Sequence, residues 1–174
     1  LHIQVPQGSS IDVGTVSADI DVTEVQGEQS LNTVSGDVNT EAFGSDVSAE
    51  SVSGDVEVSG QRKDAETDAS TVSGNVTLFR VAGVVEAASV SGDVIVDEGS
   101  FDRASLETVS GDVIFHGDVR AGGRIDAETV NGNIDVEFDK RVSGRYSIDT
   151  FNGSIRNCYG PKAVRTSKYT PGWE

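Results

Sequence analysis

TVSGDV, Thr108 to Val113, sets strand-forming residues on either side of a Ser-Gly-Asp turn. Versions of the same six residues begin at Thr15, Thr33, Ser51, Thr71, Ser89, Thr129 and Thr150. Their second residues are Val16, Val34, Val52, Val72, Val90, Val109, Val130 and Phe151, separated by 18, 18, 20, 18, 19, 21 and 21 residues. A period near 20 that tolerates small insertions is the pattern of a solenoid, in which each repeat is one coil laid on the last. Stacked at about 4.8 Å, eight corners cover roughly 34 Å.

Side chains within each repeat alternate as a strand requires. Five and three residues before the marker lie Ile11/Val13, Gln29/Leu31, Val47/Ala49, Thr67/Ala69, Val85/Ala87, Ala104/Leu106, Ile125/Ala127 and Tyr146/Ile148, a mostly apolar column. The positions between them are polar and largely acidic, so they face solvent. After the turn the alternation resumes, with Ile20/Val22, Val38/Thr40, Val56/Val58, Val76/Leu78, Val94/Val96, Val113/Phe115 and Ile134/Val136 pointing in. Each coil is therefore two strands and a corner. An irregular third side closes it, carrying Val25, Phe43, Val81, Phe101 and Val119. The sequence predicts one all-β domain over residues 1–174, a parallel β-helix-like solenoid of eight to nine coils with an 18–21 residue repeat.

The corner glycines Gly36, Gly54, Gly74, Gly92, Gly111, Gly132 and Gly153 give way only once, to Ala18. A tight turn suggests that they supply a positive φ that β-branched residues avoid. The Asp or Asn that follows can cap exposed turn amides. Parity sets up a conflict at the marker, because the Thr/Ser beside it shares the inward parity and the valine then points outward. Eight exposed apolar residues in one stripe would form a sticky ridge. The expectation is that the corner flips and buries both; an exposed ridge would instead be the candidate partner-binding face.

A formal net charge of −16 with scattered Lys and Arg excludes nucleic acid as a partner, since phosphate binding needs clustered cations. The mildly basic end, Arg156, Lys162, Arg165 and Lys168, reads as a solvated final turn. No apolar run approaches the roughly 20 residues that span a bilayer, so no membrane insertion of this segment is expected. The sequence holds no Met, so Leu1 is expected to follow a processed or trimmed boundary. At the other end, CYGPKAVRTSKYTPGWE carries Tyr169 and Trp173 as if leading into another coil. The chain is expected to continue, with a disulfide partner for Cys158 further on; the alternative makes Trp173 a plug and Cys158 a small buried hydrophobe.

Chemistry-bearing residues are few. His2 and His116 are the only histidines and Cys158 the only cysteine, which supports neither a zinc site nor a nucleophilic dyad. The acid pairs Asp97/Glu98 and Asp126/Glu128 could serve a glycan hydrolase or lyase, though so acidic a chain produces pairs by composition alone. The corner column Asp37, Asp55, Asp93 and Asp112, with Asp19, Asn75 and Asn133, offers stacked oxygens as weak calcium candidates; the Gly-Gly-x-Gly-x-Asp calcium-solenoid spacing is missing. Ice binding by the Thr ladder conflicts with its inward parity.

The corner T/S-V-S/N-G-D/N-V/I, with TVNGNI and TFNGSI closing the series, resembles the bacterial β-strand repeat family labelled adhesins and catalogued as domain of unknown function 4097. The resemblance covers essentially the whole chain. It implies a β-solenoid in an exported or membrane-tethered bacterial protein, and it supplies neither an activity nor catalytic residues. The expected function is a non-enzymatic, extracytoplasmic scaffold or adhesion module with no cofactor, its partner a cell-surface glycan or protein. The alternative is a glycan-processing enzyme using surface carboxylates; ice or calcium binding stands behind it.

Overall fold

A computed structural model of the chain describes residues 2–138 and 145–157. The readings of Cys158, Lys162, Arg165, Lys168, Tyr169 and Trp173 lie outside these residues. Fourteen strands follow in coil order. β1 (Ile11–Gly14) and β2 (Ile20–Val22) flank the first corner, β3 (Gln29–Ser35) and β4 (Val38–Ala42) the second, and β5 (Val47–Ser53) and β6 (Val56–Gly60) the third. β7 (Asp64–Ser73), β8 (Val76–Phe79) and β9 (Ala82–Ser91) follow, then the long β10 (Val94–Ser110) and β11 (Val113–Asn131). β12 (Ile134–Phe138), β13 (Arg145–Asn152) and β14 (Ile155–Asn157) end the series.

Every pairing is parallel. The strands before the corner stack in the order β1-β3-β5-β7-β9-β10-β11-β13, and those after it β2-β4-β6-β8-β10-β11-β12-β14. The register repeats from coil to coil: Thr33 aligns with Ser51, Ser51 with Thr71 and Thr71 with Ser89. This is the β-solenoid that the repeat predicts. It makes about seven turns, slightly fewer than the eight to nine expected. Among the described residues no helix is long and apolar enough to cross a membrane.

The inward columns form one core. Leu31, Ala49, Ala69, Ala87, Leu106 and Ala127 line it from the first strands, and Val38, Val56, Val76, Val94, Val113 and Ile134 from the second. Fully burying each valine, leucine or isoleucine contributes about 1.5–3 kcal/mol. Gln29, Thr40 and Thr67 are polar exceptions in these columns. The Gln29 amide Nε2 donates to the Glu41 carbonyl at 2.8 Å and its Oε1 accepts from the Thr40 hydroxyl, so the buried amide is satisfied. In the later, longer coils the extra width is filled by rings. Phe101, Phe115, Phe138 and Tyr146 follow one another at centroid distances of 5.5, 5.9 and 5.1 Å.

The third side departs from the sequence reading in two ways. Val25, Val81, Phe101 and Val119 are buried as expected, but Phe43 is only half-buried. Nor does this side stay irregular: β10 and β11 run through it as continuous strands of 17 and 19 residues, broken in register only near Gly99 and Arg103.

Candidate functional site

The corner is built from three contacts between successive coils. The first is the glycine. None of the seven corner glycines has a positive φ; that conformation belongs to Gly44, Gly83 and Gly122 and to four third-side residues, Glu24, Arg62, Arg80 and Glu98. The reason for glycine is steric: a Cβ on Gly36, Gly54, Gly74, Gly92, Gly111, Gly132 or Gly153 would overlap the carbonyl oxygen of the preceding corner. That also explains the exception, because no earlier corner lies beneath Ala18 among the described residues.

The second contact is the hydroxyl ladder. Ser51, Thr71, Ser89, Thr108, Thr129 and Thr150 donate to the carbonyls of Gly36, Gly54, Gly74, Gly92, Gly111 and Gly132 at 2.9–3.1 Å. These side chains are only 4–5% exposed, as their inward parity requires. No local sequence pattern signals this latch, since each donor and its acceptor sit in different coils.

The third contact belongs to the aspartates. Asp37, Asp55, Asn75, Asp93, Asp112 and Asn133 each donate a backbone N–H to the side-chain Oδ1 one coil back, at 2.7–3.0 Å. The suggested calcium ligands Asp37, Asp55, Asp93 and Asp112 therefore each spend one oxygen on a turn amide. Among the described residues no three His, Cys, Asp or Glu side chains gather in a group that could hold a metal ion. The acid pairs are divided in the same way. Glu98 pairs with Arg62 at 2.9 Å and Asp97 lies 3.7 Å from His116 Nδ1. Asp126 is clasped by the guanidinium of Arg124, while Glu128 is exposed at the surface. His2 precedes β1 and His116 is on β11, so the histidines do not meet.

With the hydroxyl latched inward, the marker cannot follow it. The expected flip does not occur: Val16, Val34, Val52, Val72, Val90, Val109, Val130 and Phe151 all point out and are 43–69% exposed. Burying the ladder satisfies the corner carbonyls, and the strand's alternation then puts the next side chain on the opposite face. The result is an apolar ridge along the stack. Beside it runs an open groove of about 910 Å³ whose other wall carries Glu50, Ser70, Ala88, Glu107 and Glu128. This exposed apolar stripe is the candidate functional face of the described residues.

The family model described as Toastrack DUF4097 matches residues 3–86. No curated protein and no solved structure matches the chain. The corner contacts found within residues 3–86 continue unchanged to Gly153, well past the matched segment. Residues 3–86 are thus similar to the Toastrack DUF4097 family, the family that the repeated corner resembles.

Proposed function

We propose that the chain is a non-enzymatic β-solenoid scaffold or adhesion module, working outside the cytoplasm of a bacterium and making its contacts through the valine ridge. The single observation carrying this reading is the ridge itself, eight apolar side chains held in the open by a latch that leaves them nowhere else to go. The extracytoplasmic setting rests on the family resemblance. Of the two partner classes, a protein fits better than a glycan, because sugar rings stack on aromatic faces and this ridge is aliphatic up to Phe151. Replacing Val52, Val72, Val90 and Val109 together by Ser tests the idea, with the chain immobilised against cell-surface glycans, cell-surface proteins and itself. Wild-type binding that the variant loses at an unchanged melting temperature is the expected result; binding that ignores the ridge overturns it.

The glycan-processing alternative draws on Glu107 and Glu128 in the wall of the groove. Cleavage of a polysaccharide panel, abolished by Glu107→Gln or Glu128→Gln alone, would replace the scaffold with an enzyme.

A further inference from the structure

The column of residues six before each marker carries a charge pattern that neither the core nor the corner explains. In the second, third and fourth coils it holds Glu28, Asp46 and Glu66; in the fifth, Val84; in the sixth, seventh and eighth, Arg103, Arg124 and Arg145. The strand register places them side by side: Glu66 aligns with Val84, Val84 with Arg103, Arg103 with Arg124 and Arg124 with Arg145. Gln29 aligns with Val47 and Val47 with Thr67, which brings Glu28, Asp46 and Glu66 into the same row. All six charged residues are exposed, and all share the outward parity of the valine ridge.

Three arginines in register on neighbouring strands repel one another. Arg124 has Asp126, but Arg103 and Arg145 make no ion pair with any described residue. In a chain of net charge −16 these three cations nonetheless stand together in one column. What the column does possess is antisymmetry, acids at one end and bases at the other, with an uncharged residue at the centre.

We infer that the partner on this face is a second copy of the chain, packed face to face and end over end, so that Glu28, Asp46 and Glu66 of each copy meet Arg145, Arg124 and Arg103 of the other. This rests on the reading of the ridge as a binding face. The two-fold axis lies along the strands and passes Val84, and each of the three ion pairs is made twice. The same operation lays ridge on ridge: Val90 meets itself, Val72 meets Val109, Val52 meets Val130 and Val34 meets Phe151. Between column and ridge, like charges meet only where Glu50 faces Glu128 and where Glu86 faces itself, which the acid-arginine pairs outnumber. A two-fold axis along the stack would instead lay the charged column over the other copy's valines. Six coil steps by six residues of strand give a face of roughly 29 by 20 Å, and two such faces clear the about 1,000 Å² that a specific interface buries.

Sedimentation velocity on the whole chain at low and high salt tests the pairing. The wild type is expected to be a dimer that weakens as salt rises. Arg103→Glu with Arg124→Glu should raise the dissociation constant at least about tenfold, and adding Asp46→Arg with Glu66→Arg should restore the dimer. Circular dichroism checks each fold; should the double Glu variant misfold, Arg103→Gln with Arg124→Gln must weaken the wild-type dimer in its place. A monomeric wild type, or a dimer that ignores the reversals or is not rescued, overturns the second-copy arrangement. If the monomer still binds another protein through the ridge, the binding-face reading survives; if the dimer persists when the ridge valines become Ser, that reading fails as well.

Discussion

The corner edge and the third side of the same coil are held in opposite ways. At the corner every coil sits on the previous one through one glycine, one hydroxyl and one aspartate or asparagine, repeated from Gly36 to Gly132 with hydrogen bonds that vary by a few tenths of an ångström. On the third side each coil improvises: Ser45 donates to the Gln26 carbonyl, Arg62 reaches Glu98 two coils on, and Arg120 bridges Asp64 and Asp102. Insertions therefore collect on the third side, where no repeated contact is broken by an extra residue. A corner insertion would shift the glycine off its neighbour's carbonyl and the hydroxyl off its acceptor together.

The harshest way to break this picture is a charge in the column next to the corner. Val94 is fully buried, so Val94→Asp leaves an unpaired carboxylate in the core and should cost several kcal/mol, about 4 or more. Its neighbour Asp93 gives only one oxygen to the Asp112 amide, and Asp93→Ser, which keeps an acceptor, should cost under about 1 kcal/mol. Urea melts of the two variants decide it, and equal losses would undo the assignment of faces.

Glycine substitutions set the two sides directly against each other. Gly92→Ala drives a methyl into the Gly74 carbonyl and should cost about 2–4 kcal/mol, because backbone lies on both sides of the clash. Gly122, on the third side, has a positive φ of 81° but open space around it, so Gly122→Ala pays only for conformation, about 1 kcal/mol. A larger loss at Gly122 would mean that strain and not steric stacking governs the glycines. Smaller than Gly92→Ala is Thr108→Val, which keeps the shape but leaves the Gly92 carbonyl without its 2.9 Å donor and should cost about 1–2 kcal/mol by thermal melting.

Much of the fold was legible because it is periodic. Parity named the inward columns, and the spacing of the valines named the stack, since each residue type recurs in the same environment seven or eight times over. The direction of the valines was not legible. Parity placed Val90 outside, the aversion to exposed apolar surface placed it inside, and the deciding bond joins Ser89 to Gly74, a partner that no local pattern identifies. The glycines misled for a related reason: a local rule about φ explained them plausibly, while the actual constraint comes from the coil below. The charged column from Glu28 to Arg145 stands at a fixed offset in the sequence, yet its meaning needs the register, which turns seven distant residues into one row.

The smallest expected effect lies on the third side, at Asp64. The hydrogen bond from Arg120 is the main reason that its carboxyl titrates below the ordinary carboxylate range; slight desolvation opposes the shift, and the arginine's charge adds to it. A carboxylate whose folded pKa is depressed stabilises the fold above its unfolded pKa, near about 4, and that contribution disappears as the pH falls through the lower folded value. Asp64 is exposed, so water and salt screen the pair and the effect must be slight. Arg120→Gln should leave stability at pH 7 nearly unchanged and make its decline below pH 4 slightly shallower, with the difference fading at high salt. The corner amides, which donate to side-chain oxygens one coil back, should show the same hydrogen-exchange protection in the two proteins at each pH of the titration. Amide exchange at Asp112 and Asn133 that follows Arg120→Gln would show that the two sides of the coil are coupled, against the division drawn between them.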